Sequence, residues 1–250
     1  MAHPYWPLFD LLLHTQNLLL RPMSEKDQAL LADRLPDGVA LDPAAMRLAG
    51  VGRRHTRGVI LYQDYWSAYG SWRPEHWRLP FGVWERGELI GAQTLEADDF
   101  LGVRTVDTSS FLVAERRGLG LGKQMRRAVL TLAFGPLAAQ AAITEAWHYN
   151  RASLGVSRAV GYLPNGESLH RRDEGDDIPG HYGASSAHPV RLGHLGAGGR
   201  RRDRRLRALP PALRPLISAG LSPRRFDRNS SSPLVFLLSS WYLRSLVWSR

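Results

Sequence analysis

The alternation of apolar and polar residues predicts several short β-strands in the first half of the chain. Residues 80–85 and 88–95 flank an Arg86-Gly87 pair, which predicts a hairpin turn between two strands. Residues 104–113 are rich in β-branched and hydroxyl side chains, and they predict the next antiparallel strand. The chain is therefore expected to build its core on a sheet.

Segments with a helical period lie before and between these strands. Ser24 is a predicted N-cap with Asp27 three residues later, and it follows a short predicted strand at residues 18–21. A longer helical pattern precedes residue 70. Its predicted apolar face consists of Val59, Ile60, Tyr62, Tyr65, Trp66 and Tyr69.

The clearest helix covers residues 121–134 and ends at Gly135-Pro136. A buried strand at residues 141–147 and a short helix at residues 153–159 are expected after it. The whole pattern predicts an α/β fold with a mixed, mostly antiparallel sheet of six to seven strands flanked by helices. In the helix at 121–134, Leu121, Met125, Ala128, Val129 and Leu132 form the apolar face, whereas Arg126 and Arg127 are expected outside.

Charge divides the chain into two unequal parts. Residues 1–170 carry 18 Lys and Arg against 17 Asp and Glu, whereas residues 171–250 carry 15 Arg against 6 acidic residues. The net charge of +10 therefore belongs almost entirely to the second part. Hydrophobic periodicity also disappears there, so residues 173–250 are expected to form a basic extension of low order. Frameshifted sequence and a genuine extension are both compatible with this composition.

A glycine-rich turn stands between the strand at 104–113 and the helix at 121–134. Gly118, Gly120 and Gly122 have no Cβ, so successive N–H groups can point at one anion. The helix that follows adds its unpaired N-terminal N–H groups and the positive end of its dipole. This arrangement predicts a binding site for a pyrophosphate.

Two common nucleotide-binding motifs fit this turn poorly. A P-loop requires Ser or Thr after Gly-Lys, but Gly122-Lys123 is followed by Gln124. A dinucleotide fingerprint requires Gly-x-Gly-x-x-Gly, whereas the spacing here is Gly-x-Gly-x-Gly. Glu145 lies at about the distance at which that fingerprint has its acidic residue, so the dinucleotide interpretation is weakened and not excluded.

Arg117, Gly120 and Gly122 fit the pattern Arg/Gln-x-x-Gly-x-Gly/Ala, which resembles the acetyl-coenzyme A loop of the GNAT N-acetyltransferase superfamily. A second segment, Asn150-x-x-Ser153 with a short helix and Gly-Tyr, resembles the other coenzyme A segment of that superfamily. Residues 15–22 and the helix after them are similar to the start of the branch that includes ribosomal-protein N-terminal acetyltransferases. This resemblance implies a GNAT domain at residues 15–172.

The resemblance implies direct transfer of an acetyl group from acetyl-coenzyme A to a primary amine, without a covalent enzyme intermediate. The amine would belong to a peptide, a protein or a small molecule. Backbone N–H groups near Leu112 and Val113 would polarise the thioester carbonyl, and Ser153 is a candidate proton donor to the leaving thiolate. The implied coenzyme A contacts are Leu112, Val113, Arg117, Gly118, Gly120, Gly122, Lys123, Asn150 and Ser153.

Simpler roles compete for several of these residues. Arg117 and Lys123 could be solvated surface charges, and Asn150 could serve only as the N-cap of the short helix. Tyr162, in the Gly-Tyr pair, is expected to pack under the sheet. The general base is open among Glu96, Asp98, Asp99, Asp107, Glu145 and an ordered water, with Asp107 and Glu145 favoured because a buried acid must be paired or face a cleft.

Two other functions remain as alternatives. One is a GNAT domain that binds acyl-coenzyme A without catalysis. The other is nucleic-acid binding through the arginine run at residues 200–207, which is expected to be nonspecific because no aromatic residues interrupt it. No metal is expected, since the histidines at 170, 181, 188 and 194 match no ligand spacing.

The sequence also bears on location. It contains no cysteine, which excludes disulfides and a cysteinyl acyl intermediate. The N-terminal segment lacks the basic region and small-residue cleavage site of a signal peptide, and no segment has the length of a membrane span. A cytoplasmic protein with no membrane partner is expected, and the oligomeric state is left open.

Overall fold

The computed structural model describes residues 3–35, 50–170, 183–187 and 190–191. Ten strands are present in these ranges: β1 Leu13–His14, β2 Leu19–Pro22, β3 Trp77–Glu85, β4 Glu88–Ala97, β5 Thr105–Leu112, β6 Ala141–Ile143, β7 Glu145–Trp147, β8 Glu167–His170, β9 Gly183–Ala187 and β10 Val190–Arg191. Seven form one sheet in the order β1-β2-β3-β4-β5-β6-β10, and three form a second sheet in the order β7-β9-β8. All paired strands are antiparallel except β5 and β6. The predicted mixed, mostly antiparallel sheet is confirmed.

Five α-helices flank the sheets: α1 Glu25–Arg34, α2 Arg53–Gly70, α3 Phe100–Val103, α4 Leu121–Phe134 and α5 Arg151–Ala159. The predicted N-cap of α1 is confirmed, because the Ser24 hydroxyl accepts from the Asp27 N–H and the Asp27 carboxylate accepts from the Ser24 N–H. Short 3-10 helices at Pro7–Asp10 and Ala114–Arg116 complete the described part. None of its helices has the length and hydropathy of a membrane-spanning segment.

The two faces of the main sheet carry separate hydrophobic clusters. The larger cluster joins β3, β4 and β5 to α4, with Leu95 and Val106 buried against Met125 and Val129. The smaller cluster lies where α1 and α2 cover the opposite face. It consists of Met23, Leu31, Leu61, Leu89 and Phe111.

The predicted strand at residues 141–147 is divided at Thr144. β6 pairs with β5 only from Thr105 to Asp107, and β7 then pairs with β9 in the other sheet. β5 therefore loses its parallel neighbour after Asp107, and a gap opens between β5 and β7. We refer to this opening as the β5–β7 gap.

Two predicted helix faces are wrong in part. Arg126 was expected outside, but only 2% of it is exposed, because hydroxyl groups of the neighbouring strands accept its N–H groups. Trp66 was expected on the buried face of α2, but 54% of it is exposed. Ile60 is buried as predicted, and Leu61 and Ala68, which were not predicted, are buried with it.

Two strands lie beyond residue 172, where no strand was predicted. β9 pairs with β7 and β8, and β10 pairs with β6. The remainder of the predicted basic extension, including the arginine run at residues 200–207, lies outside the described residues. The division of the chain at residue 172 stays a prediction.

Gly91 in β4 marks a position where the sheet has no room for a side chain. A Cβ there would lie 2.2 Å from the Phe111 carbonyl oxygen, a backbone atom that cannot move aside. We expect Gly91→Ala to lower the free energy of unfolding by about 1–3 kcal/mol, as overpacking of a core does. Gly155→Ala in α5 is the control, because a Cβ there meets nothing within 4 Å. Chemical denaturation should show that this control is neutral or stabilising.

Candidate active site

Two of the three glycines in the turn before α4 have the left-handed conformation. Gly118 and Gly120 have φ values of 75° and 77°, in the left-handed region that favours glycine. Gly120 is the N-cap residue of α4, so the first N–H groups of the helix emerge beside it. Gly122 lies in the first turn, where a Cβ would be 3.2 Å from Val156 of α5. The turn thus needs glycine for backbone shape and for close helix packing.

The two basic residues of this segment differ in their surroundings. Arg117 is half-buried, and its Nε–H donates to the Leu112 carbonyl over 2.9 Å. Burial lowers the pKa of Arg117. Lys123 is exposed on the first turn of α4, beside an open cavity of about 480 Å³. His14, Thr15, Gly120, Gln124 and Arg127 also line this cavity.

The end of β5 presents its backbone to the β5–β7 gap. Val113 N–H donates to the Ile90 carbonyl over 2.9 Å, so this predicted thioester contact is used within the sheet. Hydrogen bonding alternates along an antiparallel strand, which directs the N–H of Leu112 to the opposite edge. Leu112 is therefore the member of the predicted pair whose backbone faces the gap.

Arg126 spans the gap from the α4 side. Its guanidinium donates to the Thr144 hydroxyl and to the Ser110 hydroxyl, each over 3.0 Å. The Thr144 hydroxyl in turn donates to the Thr108 carbonyl over 2.7 Å. Arg126 makes no ion pair within the described part of the chain, so a buried positive charge lies under the point where the strands diverge.

The second predicted segment begins with Asn150. Its side-chain oxygen accepts from the Ser153 N–H over 3.0 Å, so Asn150 caps α5. Ser153 is partly buried in the first turn of that helix. The cap is therefore present, and the contacts of both residues with coenzyme A stay predictions.

Tyr162 packs under the sheet as expected. It is 2% exposed, and its hydroxyl lies 3.0 Å from the Thr108 hydroxyl. Burial raises the pKa of Tyr162. The Arg126 guanidinium lies 5.8 Å from the centre of its ring. Tyr162 thus supports the strand next to the gap.

Three acidic residues occupy the sheet face opposite α4. Glu96 and Asp107 are directly opposite in the β4–β5 register, and Glu145 begins β7. Burial, and after it the negative charge of Glu96, raises the pKa of Asp107 to about 8, and the charge of Glu145 adds to this effect. With this pKa, Asp107 holds a proton at neutral pH.

The other candidate bases have structural partners. Glu96 is buried and accepts from Arg78 Nε over 2.7 Å, and Arg78 also contacts Asp64 of α2. Asp98 contacts His76. Asp99 precedes α3 with φ 47°, in the left-handed region. Asp107 and Glu145, the two favoured acids, lie on β5 and β7, the strands that border the gap.

The described ranges contain no group of three side chains that could hold a metal ion.

Comparison with solved structures identifies the architecture. Mycobacterium smegmatis RimJ in complex with CoA-disulfide matches with a TM-score of 0.56 and 19% identity, over 71% of this chain and 83% of that chain. Spermidine N-acetyltransferase from Vibrio cholerae, in complex with CoA and spermine, matches with a TM-score of 0.55 and 14% identity, over 71% and 96% of the two chains. A GNAT-family acetyltransferase from Bacillus anthracis matches with a TM-score of 0.52 and 14% identity, over 72% and 98%. No protein-family model matches the sequence.

The chain has the GNAT acetyltransferase fold. The fold expected from the resemblance is therefore confirmed. In this GNAT fold the glycine-rich turn stands at one end of the β5–β7 gap, and the carboxyl cluster lies on the far face of the sheet. These structural matches establish the fold. Their sequence identities of 14–19% are too low to transfer individual site residues, which stay predictions.

Arg126 is the site feature that the sequence interpretation missed. Thr108 and Ser110 fall on the same face of β5 as the buried Val106 and Leu112. Hydroxyl groups on a core-facing strand need hydrogen-bond partners, so this pattern could have predicted a buried polar side chain on α4. The helical period alone placed a charged residue outside.

Asp107 should make the stability of this GNAT fold depend on pH. Between its usual pKa of 3.8 and about 8, the folded protein holds a proton that the unfolded chain has released. The free energy of unfolding should therefore fall as the pH rises through this window. We expect Asp107→Asn, which can still accept the Thr108 N–H, to lose this component of the pH dependence.

The measurement is chemical denaturation of the unmodified protein and of Asp107→Asn at several pH values between about 4 and about 8. Asp33→Asn is the matched control, because the Asp33 side chain is 75% exposed and its pairing with Arg54 lies on the surface. An Asp107→Asn profile parallel to that of the unmodified protein would contradict the assignment.

Proposed function

We propose that this protein transfers an acetyl group from acetyl-coenzyme A to a primary amine. The observation that carries the proposal is the β5–β7 gap, because it connects a helix N-terminus suited to phosphate with a carboxyl group suited to proton transfer. Two of the similar structures hold a form of coenzyme A, and one of them also holds spermine, which is an amine.

The pyrophosphate of the donor fits the turn at Gly118, Gly120 and Gly122. Two of these glycines have the left-handed φ values that turn successive N–H groups inward. The α4 dipole and Lys123 add positive potential, and Arg117 stands between the turn and β5. This chain therefore supplies backbone donors at the position where phosphate charge must be neutralised.

The pantetheine arm would follow the gap, where β5 has lost its neighbouring strand. An extended chain with amide groups can use the backbone donors and acceptors that a missing strand leaves available. Leu112 N–H is the donor that we assign to the thioester carbonyl, where it would stabilise the oxygen as negative charge develops. Arg126 lies under the same region and adds a fixed positive charge.

The amine must lose a proton before its nitrogen attacks the thioester carbon. We assign this proton to Asp107 in its ionised form, since a pKa of about 8 suits a base near neutral pH. Asp107 lies five residues before Leu112, about 16 Å along an extended strand, so ordered water in the gap would carry the proton to it. The C–N bond then forms, the C–S bond breaks, and the departing thiolate takes a proton for which Ser153 is the candidate donor. The nitrogen loses its second proton as the amide forms, and that proton restores the Ser153 hydroxyl. Glu96 and Glu145 add negative charge that would attract a cationic amine.

Within the amines, the resemblance at residues 15–22 favours the α-amine of a peptide or protein, or a related small amine. The test is a panel assay that measures thiol release from acetyl-coenzyme A with peptide α-amines, lysine side chains, diamines and polyamines. Acetylation of at least one amine class supports the proposal. Coenzyme A binding without thiol release on any amine would instead support the idle acyl-coenzyme A-binding domain.

Gly120→Glu should abolish acetyl-coenzyme A binding, because it introduces a side chain and a negative charge into the anion site. Isothermal titration calorimetry measures this directly. Gly87→Glu is the matched control, since Gly87 also has a positive φ, of 85°, but lies in the β3–β4 hairpin. The two variants carry similar backbone strain, so unchanged affinity in Gly120→Glu would refute the anion site.

Asn150→Ala and Ser153→Ala should separate binding from chemistry. Loss of a contact with the pantetheine arm should mainly raise the KM for acetyl-coenzyme A, and loss of the Asn150 cap should also lower stability by about 0.5–2 kcal/mol. Loss of the proton donor in Ser153→Ala should lower kcat by about 10²–10⁴-fold. A kcat within a few-fold of the unmodified value would show that the Ser153 hydroxyl is structural.

A further inference from the structure

An aromatic cleft lies at the edge of the main sheet formed by β1 and β2, away from the β5–β7 gap. The N-terminal segment and α2 face each other across a cavity of about 480 Å³. This volume is in the range of small-molecule sites. The residues that line it define what we call the aromatic cleft. They are six aromatic side chains, one histidine and one carboxylate: Tyr5, Trp6, Phe9, Tyr65, Trp66, Tyr69, His3 and Glu25.

The rings meet at angles and not in parallel stacks. Tyr69 is at the centre, with ring centroids 5.1 Å from Phe9, 5.0 Å from Tyr65 and 6.2 Å from Trp6. Its hydroxyl donates to the Met23 carbonyl over 3.2 Å, which holds the ring in place. Tilted and edge-on contacts leave ring faces available to a ligand. The floor of the cleft is therefore a fixed aromatic surface.

The electrostatic character of the cleft is negative. Glu25 forms no ion pair among the residues that the structure describes, and no Lys or Arg lines the cavity. The one histidine of the lining, His3, accepts from the Trp6 N–H at Nδ1 over 2.8 Å. Burial and then the nearby Glu25 charge raise the pKa of Tyr65. The negative charge of Glu25 therefore acts on the side chains of the cleft. Faces of aromatic rings also carry negative potential. A cation is the ligand charge that fits these walls.

The mouth of the cleft exposes large rings to solvent. Trp66 is 54% exposed and Tyr5 is 89% exposed. Indole and phenol rings at a surface that also holds a carboxylate are typical of sites for ammonium groups. Both rings line the same cavity as Tyr69.

We propose that the aromatic cleft binds a small organic cation with a methylated ammonium group. Several ring faces and a single carboxylate favour a weakly hydrated cation that needs no hydrogen-bond acceptors. A primary ammonium ion has three N–H donors and is strongly hydrated, so it would lose more by entering a cavity with few acceptors. This site is separate from the proposed acetyl-transfer site and does not depend on it.

Choline is the probe, and its neutral carbon isostere, in which a tert-butyl group replaces trimethylammonium, is the comparison ligand. Isothermal titration calorimetry of the full chain should give saturable choline binding. We expect the isostere to bind at least about tenfold more weakly, because it has the same shape without the charge. Equal affinity of the two ligands, or no saturable binding of choline, would overturn the proposal.

Two variants locate the site. Trp66→Leu and Glu25→Gln should each weaken choline binding by about three- to tenfold, since both side chains are at the surface and their loss should leave the fold intact. Glu75→Gln removes an exposed carboxylate outside the cleft and should leave choline affinity unchanged. If the cleft variants behave like Glu75→Gln while their thermal unfolding is normal, choline binds elsewhere and the proposal fails. Acetyl-coenzyme A binding should be the same in all three variants.

Discussion

The loss of the parallel neighbour of β5 after Asp107 is the constraint on which the rest of the site depends. Backbone groups along a strand need hydrogen-bond partners, and a sheet that opens must supply them in another way. Here the Thr144 hydroxyl donates to the Thr108 carbonyl and Arg117 donates to the Leu112 carbonyl, one at each end of the open stretch. The gap is thus bounded by specific side-chain contacts.

Arg126 makes this opening compatible with a stable core. Burial of an unpaired charge is costly, and its two hydroxyl acceptors offset only part of that cost. The same charge favours negative charge nearby and acts against the proton on Asp107, whose pKa is raised by burial and by Glu96. A positive group on one face of the sheet and a carboxyl group on the other therefore face the gap. This polarity matches the needs of a reaction that generates an anion on sulfur and takes a proton from nitrogen.

The sequence predicted those parts of the structure in which local chemistry and fold agree. Ser24 with Asp27, the Arg86-Gly87 hairpin, and the glycines before α4 each require a particular backbone shape, and the structure has these shapes. The division of a strand at Thr144 was not predicted, because it depends on the partner of β7, which comes from β9 about 40 residues later in the chain. Arg126 was assigned to the surface because periodicity measures hydrophobicity and not the acceptors supplied by other strands.

The sequence also could not decide which acidic residue is the general base for the amine. Asp107 and Glu145 were favoured among six candidates, but the sequence could not show that Glu96 would be held by Arg78 and Asp98 by His76. Arg78 and Glu96 are directly opposite in the β3–β4 register, and His76 and Asp98 lie at the same end of this hairpin. These pairings depend on strands that extend beyond the predicted residues 80–85 and 88–95. The contacts with coenzyme A remain predictions, because a turn and a gap define a shape without its ligand.

A crystal structure of the protein with coenzyme A would show whether the β5–β7 gap holds the acetyl donor. We expect pyrophosphate density at the N–H groups of the Gly118–Gly122 turn, and a pantetheine arm between β5 and β7 with its thiol near Leu112. Coenzyme A bound elsewhere, or an arm that does not enter the β5–β7 gap, would contradict this expectation.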